Sequence, residues 1–257
     1  MDTLAAGGTA LHRLDPRGKL LTTLVFIVTV VSFDRYAVSA LLPFAAFPLV
    51  MTSLGALPSR YIISRILLLA PLAMISGIFN PFFDREVLFS FGSMGVTGGW
   101  VSFASILLRV MLTVGGAITL VAVTGFPTIC RAAQKLGAPR VFVTQLLFLY
   151  RYIFVLAEEG GRVSRGRSLR CCGRRGMGVG SYGSLVGHLL LRTWRRAERI
   201  HMAMLARGFT GEFQNLREFR FGGRDLLFVG GWSLLFITFR TWNLPQFLGT
   251  LVSGMIP

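Results

Sequence analysis

The residues that could do chemistry in this chain are few, and most of them can be discounted on spacing. Glu158 and Glu159 are the obvious pair for acid and base work. Adjacent residues on a helix point in different directions, however, and Arg162 stands three and four residues on, placed to neutralise either carboxylate. His188 and His201 are too far apart in sequence for a short-range metal pair, and Cys171-Cys172 lacks the second cysteine cluster that a zinc site needs. Gly178-Val179-Gly180 is not followed by the Gly-Lys-Ser or Gly-Lys-Thr of a phosphate loop. These spacings lead to the expectation of no catalytic residue, no metal site and no cofactor. What remains is arginine, whose chemistry is the binding of anions.

The arginines are ordered. Ser184 to Phe209 reads as one amphipathic helix in which Val186, Leu189, Leu190, Trp194, Ala197, Ile200 and Met204 form an apolar stripe. Arg192, Arg196, Arg199 and Arg207 form a second stripe at spacings of four, three and eight. Gly208 stands where a left-handed helix cap is expected, so Arg207 falls in the last turn, beside unpaired carbonyls and the negative end of the helix dipole. A second long helix ends in Leu169-Arg170-Cys171-Cys172-Gly173, again an arginine followed by small residues and glycine.

The elements that position these residues follow from composition. The chain has 257 residues, 53% of them hydrophobic, and a net charge of +16. High apolar content together with high charge indicates two environments. From Phe126 to Arg224 there are 18 Lys or Arg against 5 acidic residues, so the middle of the chain is basic and its ends are oily. Three cysteines, Cys130, Cys171 and Cys172, offer no disulfide framework and suggest the reducing side of a membrane. The first 19 residues are charged, with no small-residue cleavage site after a short apolar run, so no secretory signal is expected.

Taken in order, Leu20–Phe33 reads as a first span, and Tyr36–Leu57 as a second that Pro43 and Pro48 kink. Pro58-Ser59-Arg60 opens a third that runs to Phe79. A Gly- and Phe-rich loop with Asp84, Arg85 and Glu86 reads as an ordered surface loop or re-entrant piece, not a span. Trp100–Phe126 is the fourth span. It holds Arg109, an intramembrane charge that must face other helices or water. Val141–Ala157 is ambiguous, since its 17 residues would extend about 25 Å against a hydrocarbon core of about 30 Å. Were it to span, the 14 arginines from Arg162 to Arg224 would lie opposite the basic N-terminus, against the positive-inside bias. It is therefore assigned to a helix beneath the membrane that continues past Gly160-Gly161, a pair permitting close helix crossing, to Arg170. Arg174–Gly183 reads as a loop, and Leu226–Phe239 begins the last span.

The fold class expected is all-α: a polytopic membrane protein with about five transmembrane helices plus a cytoplasmic module of long crossed helices. Its divisions are four transmembrane helices over 1–126, the cytoplasmic module over 127–224, and the last helix with the C-terminus over 225–257. The N-terminus and the module are expected on the cytoplasmic side.

Three uses of the basic block compete: attraction to anionic lipid alone, nucleic-acid binding, for which no binding module is visible, and docking to a soluble protein. At this point the sequence resembles the T components of energy-coupling factor transporters, and among them the cobalt and nickel type, CbiQ. His12-Arg13-Leu14-Asp15-Pro16-Arg17-Gly18-Lys19 is similar to that family's opening, and Ala203-Met204-Leu205-Ala206-Arg207-Gly208-Phe209 fits its second Ala-Arg-Gly motif. The first motif departs, with Leu169 and Cys171 flanking Arg170, and only Arg170 is carried over. The resemblance implies a scaffold of the bacterial inner membrane without enzymatic activity. Arg170, Ala206, Arg207 and Gly208 would couple it to two ATP-binding cassette ATPase subunits. Its membrane part would hold a substrate-binding membrane component for cobalt or nickel, and a small accessory membrane subunit is an optional member. A stand-alone permease built around Arg109, and a protein whose basic block only binds lipid, are the alternatives.

Overall fold

The computed structural model describes residues 7–34, 38–79, 87–91, 94–170, 179–211 and 221–241. The chain divides into two compact units: one formed by 1–132 together with 219–257, the other by 133–218.

In the first unit α1 (Ala10–Arg13) is a single turn that leads into α2 (Pro16–Val31). Asp15 caps α2 by accepting the Arg17 N–H at 2.9 Å, and Pro16 occupies the first helical position, where no N–H is needed. One face of α2 is buried, with Gly18, Lys19, Thr22, Thr23, Phe26 and Val30 at helical spacing. Thr22 and Thr23 satisfy their hydroxyls on the carbonyls of Gly18 and Lys19, both at 2.9 Å, so the inward polar groups need no water. The proline-interrupted stretch is α3 (Val38–Leu41), a 3-10 turn (Leu42–Ala45) and α4 (Ala46–Leu54), as Pro43 and Pro48 require. Next come α5 (Ser59–Gly77), with Pro71 inside it, and α6 (Gly98–Thr124). After α7 (Phe126–Lys135), whose Cys130 is buried, the chain leaves the unit and returns as α10 (Gly223–Thr241).

The core is an aromatic cluster. Phe26 lies 4.6 Å from Phe47 and 5.5 Å from Phe236 between ring centroids, and Trp232 meets Phe47 edge-on at 5.0 Å. Glycines let α6 approach this cluster: a Cβ on Gly116 would stand 2.9 Å from Phe26 Cε1, and one on Gly115 3.3 Å from Ile66 Cδ1.

Contacts fix the direction of each helix. Phe26 packs at Gly116, and Arg109 donates to the Asp34 carbonyl beyond the end of α2, so α2 and α6 are antiparallel. Gly77 meets Phe103, and Ile66 meets Gly115, making α5 antiparallel to α6. Gly55 at the end of α4 meets Val123 while Pro48 meets Gly115, so α4 runs with α6. At its start α10 meets the start of α2, where the Asp15 N–H donates to Asp225 Oδ1 at 2.7 Å; at its end Arg240 lies over the Phe33 ring. The long apolar segments thus alternate in direction along the chain, and α6 ends at the same end of the unit where α10 begins.

The outside of this unit is as apolar as its inside. Leu24, Ile63, Leu67, Leu68, Leu72, Ile75 and Leu227 are exposed, whereas Lys19, Thr22, Thr23, Ser102, Ser105 and Thr119 are buried. Water would not tolerate so wide an apolar surface, and a bilayer would. Among the described residues, Gly98–Thr124 and Arg140–Leu169 are each long and apolar enough to cross a membrane. The structure is that of an all-α membrane protein. The Asp84 loop departs from helix in a small antiparallel hairpin, β1 (Val87–Phe91) and β2 (Met94–Thr97), which pairs Val87 with Thr97 and Phe91 with Met94. Residues 80–86, including Asp84, Arg85 and Glu86, lie outside the described residues.

Candidate functional site

The second unit is built on two long helices, α8 (Arg140–Arg170) and α9 (Val179–Ala206). As the sequence suggested, α8 runs unbroken through Gly160-Gly161. α9 begins earlier than expected. Residues 179–183, read above as part of a loop, form its first turns. Glycine is no strong breaker there, because the first four N–H groups of a helix have no intrahelical acceptor to lose. Cys171, Cys172 and the remainder of the glycine-rich link lie outside the described residues.

α8 has two characters. Its first half presents Val141, Phe142, Leu149, Ile153 and Phe154 as exposed side chains, and its second half is charged. Glu159 organises the charged half. Its side chain is only 9% exposed, and its two oxygens have different partners: Oε2 accepts from Arg162 Nη2 at 2.6 Å on the same helix, and Oε1 meets Arg192 Nη1 of α9 at 3.0 Å. Glu158 takes the other branch of Arg162 at 3.2 Å. The two carboxylates are therefore neutralised by arginine, as their spacing implied, and do not face a common substrate. Glu159 stands beyond the apolar stretch 141–157, and the Arg162 hydrogen bond holds its carboxyl below the usual carboxylate range. Burial opposes that shift, while Arg192 and Arg196 reinforce it.

The same contacts give the orientation of the pair. A Cβ on Gly160 would lie 3.8 Å from Leu189 Cδ2 one residue beyond the Glu159 contact, while one on Gly161 would meet nothing within 4 Å. Gly160 therefore faces α9 and Gly161 does not. Toward the other end, the Phe148 ring meets Phe209 edge-on at 6.4 Å between centroids, and Thr144 Oγ1 donates to the Gly211 carbonyl at 3.3 Å. Low numbers on α8 lie beside high numbers on α9, so the helices are antiparallel.

α9 closes as its sequence required. Gly208 has φ +79°, its N–H donates to the Leu205 carbonyl at 2.9 Å, and the Phe209 N–H reaches back to Met204 at 3.0 Å. This is the paired arrangement by which a left-handed glycine satisfies the last carbonyls of a helix. Ala206, Arg207 and Gly208 are all exposed. Arg170, the last residue of α8, lies at the opposite end of the pair, about 33 Å of helix beyond the level of Phe148, at 1.5 Å for each residue. The structure thus places Arg170 and Arg207 apart, at the two extremities of one helix pair. Sequence reasoning missed Arg192 as the partner of Glu159. The stripe of arginines signalled it, but nothing local revealed which carboxylate it would face.

A bundle with apolar outer faces and an arginine-rich helix pair defines the class: a polytopic helical membrane protein with a charged helical module. A family model, described as cobalt transport protein and called CbiQ, matches residues 7–217. The chain belongs to that family, a membrane component of transporters. Among curated relatives, the energy-coupling factor transporter transmembrane protein EcfT of Thermosediminibacter oceani is 26% identical over 219 residues, 80% of this chain and 82% of its own length. The EcfT protein of Ruminiclostridium cellulolyticum is 24% identical over 253 residues, 92% of each chain. An uncharacterized protein of Methanocaldococcus jannaschii is 26% identical over 230 residues, 85% of this chain and 78% of its own.

Proposed function

We propose that this protein is the transmembrane coupling subunit of an energy-coupling factor importer, carrying the motion of two cytoplasmic ATPase subunits to a substrate-binding membrane component for cobalt or nickel. The observation that carries the reading is the placement of Arg170 and Arg207 at opposite ends of one antiparallel pair, joined between them by Glu159 and Arg192. ATP-driven closure of an ATPase dimer moves its halves toward each other. A rigid pair with one arginine tip on each half converts that closure into tilt, a rigid-body transition. Each arginine would be clamped by acidic groups of its ATPase, since Arg–carboxylate contacts are among the stronger hydrogen bonds.

The helix directions support a module that lies on one side of the membrane; the bacterial inner membrane is part of the proposal. α6 ends and α10 begins at one end of the bundle, so the inserted segment crosses the membrane an even number of times or not at all. With Arg192, Arg195, Arg196, Glu198 and Arg199 in mid-helix, α9 is unsuited to cross, and α8 then does not cross either. The positive-inside bias places that side in the cytoplasm. Gly160 lies on the face toward α9 and marks the crossing, where a Cβ would make only an ordinary contact with Leu189. Gly161, with open space where its Cβ would stand, takes no part in that crossing. The bond from Arg109 to the Asp34 carbonyl supports a structural role in the bundle over an ion path.

The test is co-purification. From cells holding the whole transporter, the wild-type chain should recover two ATPase subunits. Arg207→Ala should weaken that recovery, and the Arg170→Ala/Arg207→Ala double variant should abolish it, with membrane insertion intact. Each clamped charge lost is expected to cost about 2 to 5 kcal/mol of docking, and Arg207→Lys should restore it only in part. Wild-type recovery by the double variant would sink the proposal.

A further inference from the structure

Between α8 and α9 lie two adjoining cavities, one of mixed charged and apolar lining and one nearly all apolar. One, of about 410 Å³, is lined by Arg192, Arg196, Arg199 and Thr193 along the α9 side. The other, of about 260 Å³, is nearly all apolar and is lined by Tyr152, Leu190, Trp194 and Ala197. They share Val155, Leu156, Thr193 and Arg196, so a molecule with a charged end and a greasy end can occupy both at once. We propose that this cleft is a binding site for one anionic phospholipid, its phosphate held by Arg196 and Arg199 and an acyl chain laid against Trp194.

The charge balance of the cleft favours an anion. Glu159 also lines the arginine cavity, but both its oxygens are engaged, by Arg162 and Arg192. Among the described residues no carboxylate lies within ion-pair distance of Arg196 or Arg199, and both are exposed. The apolar slot selects a lipid over a soluble phosphate, because its walls offer a soluble anion nothing. Leu190 and Trp194 are both 66% exposed, a costly arrangement in water that a bound chain would relieve. Trp194 itself is built as interfacial tryptophans are, its ring on the slot and its Nε1 donating to Glu198 Oε1 at 2.8 Å. Since the protein belongs to a membrane, such a ligand is always at hand. The site concerns the middle of α9, not the arginine tip, so it stands whether or not Arg207 docks an ATPase.

The test uses the full-length chain, stripped of lipid in neutral detergent and titrated with phosphatidylglycerol brominated on its acyl chains, which quenches indole on contact. Saturable quenching is expected, and Trp194→Phe should remove the quenched component while Trp100, Trp232 and Trp242 remain. Arg196→Gln/Arg199→Gln should raise the half-saturating concentration about thirtyfold, and the double lysine variant should restore it to within a fewfold. Far-UV circular dichroism checks that each variant keeps its helix content. Equal quenching by brominated phosphatidylcholine, or quenching indifferent to the arginine changes, would mean bulk lipid only and overturn the site. Displacement by inorganic phosphate at concentrations as low as those of the lipid would reassign the cleft to a soluble anion. Displacement by an acidic peptide below the lipid's concentration would reassign it to a protein partner. Either result rejects the proposal.

Discussion

Glu159 Oε1 and Arg192 Nη1 meet at 3.0 Å across two helices, while the other carboxylate oxygen is held at 2.6 Å by Arg162 of its own helix. The carboxylate is nearly buried and the two arginines are more than half exposed, so the contacts join a desolvated anion to cations that water reaches. Removing the acid leaves two cations that water can reach, whereas removing Arg192 leaves Oε1 of a nearly buried carboxylate without its partner. Arg192→Gln should therefore loosen the pairing of α8 with α9 more than Glu159→Gln does, since the amide oxygen introduced by the latter can still accept and the freed arginines reach water, with each helix still formed. Hydrogen exchange should show more protection lost around Leu189 in Arg192→Gln than in Glu159→Gln, and unchanged protection in α2 and α6. Equal exchange in the two variants would remove Glu159 from its central place.

The same carboxylate predicts a pH response. Its pKa is lowered in the folded chain, chiefly by the Arg162 hydrogen bond. A depressed carboxyl contributes stability that is present above its unfolded value and lost as pH falls through the folded one. Helix pairing should then be flat from pH 8 to about pH 5 and weaken only at more acid values. Exchange rates at Leu189 measured against pH check this, and a change centred near neutrality would contradict it.

Much of this architecture was legible in residue order. Gly208 announced the end of α9, and the two prolines at 43 and 48 announced the broken second segment, because each acts through local backbone geometry. The start of α2 at Pro16 lies ahead of the Leu20 expected for that span. The hairpin at Val87–Thr97 was not legible, since short apolar runs of Val, Leu and Phe serve strand and loop alike. Nor was the early start of α9, where glycine content outweighed the tolerance of a first turn. The Glu159–Arg192 contact and the clasp between Asp15 and Asp225 join residues 33 and 210 positions apart, and periodicity carries no information on such pairings.

Gly208 is required by geometry and not by space. A Cβ there would meet nothing within 4 Å, yet the residue sits at φ +79°, where an L side chain costs about 1 to 2 kcal/mol. Gly208→Ala should fray the last turn of α9, release the Phe209 ring from Phe148 and lower ATPase recovery without touching Arg207. Gly208→Asn should be milder, since asparagine enters that region more readily. The helical signal of residues 200–207 by hydrogen exchange ranks the two, and alanine behaving as wild type would show that the cap does not hold the tip.

Asp225 holds the first and last helices of the bundle by a different device. One oxygen accepts the buried Asp15 N–H at 2.7 Å, and the other accepts the Gly222 N–H at 2.8 Å, capping its own helix from the third position. Gly222 is exposed, so water can replace the second bond, but nothing in the buried setting can replace the first. Asp225→Ala should cost about 1 to 3 kcal/mol for the stranded N–H and some tenths more for the cap, and thermal unfolding in detergent should register it as a clear fall in midpoint. Asp225→Asn keeps one acceptor oxygen. If the asparagine turns that oxygen to Asp15 the midpoint should fall about half as far, because the group that water can serve is then the one left unpaired. The α8–α9 pair belongs to the other unit, so its exchange protection should be the same in both variants. A midpoint unchanged by alanine would show that the aromatic cluster holds α2 to α10 without the clasp.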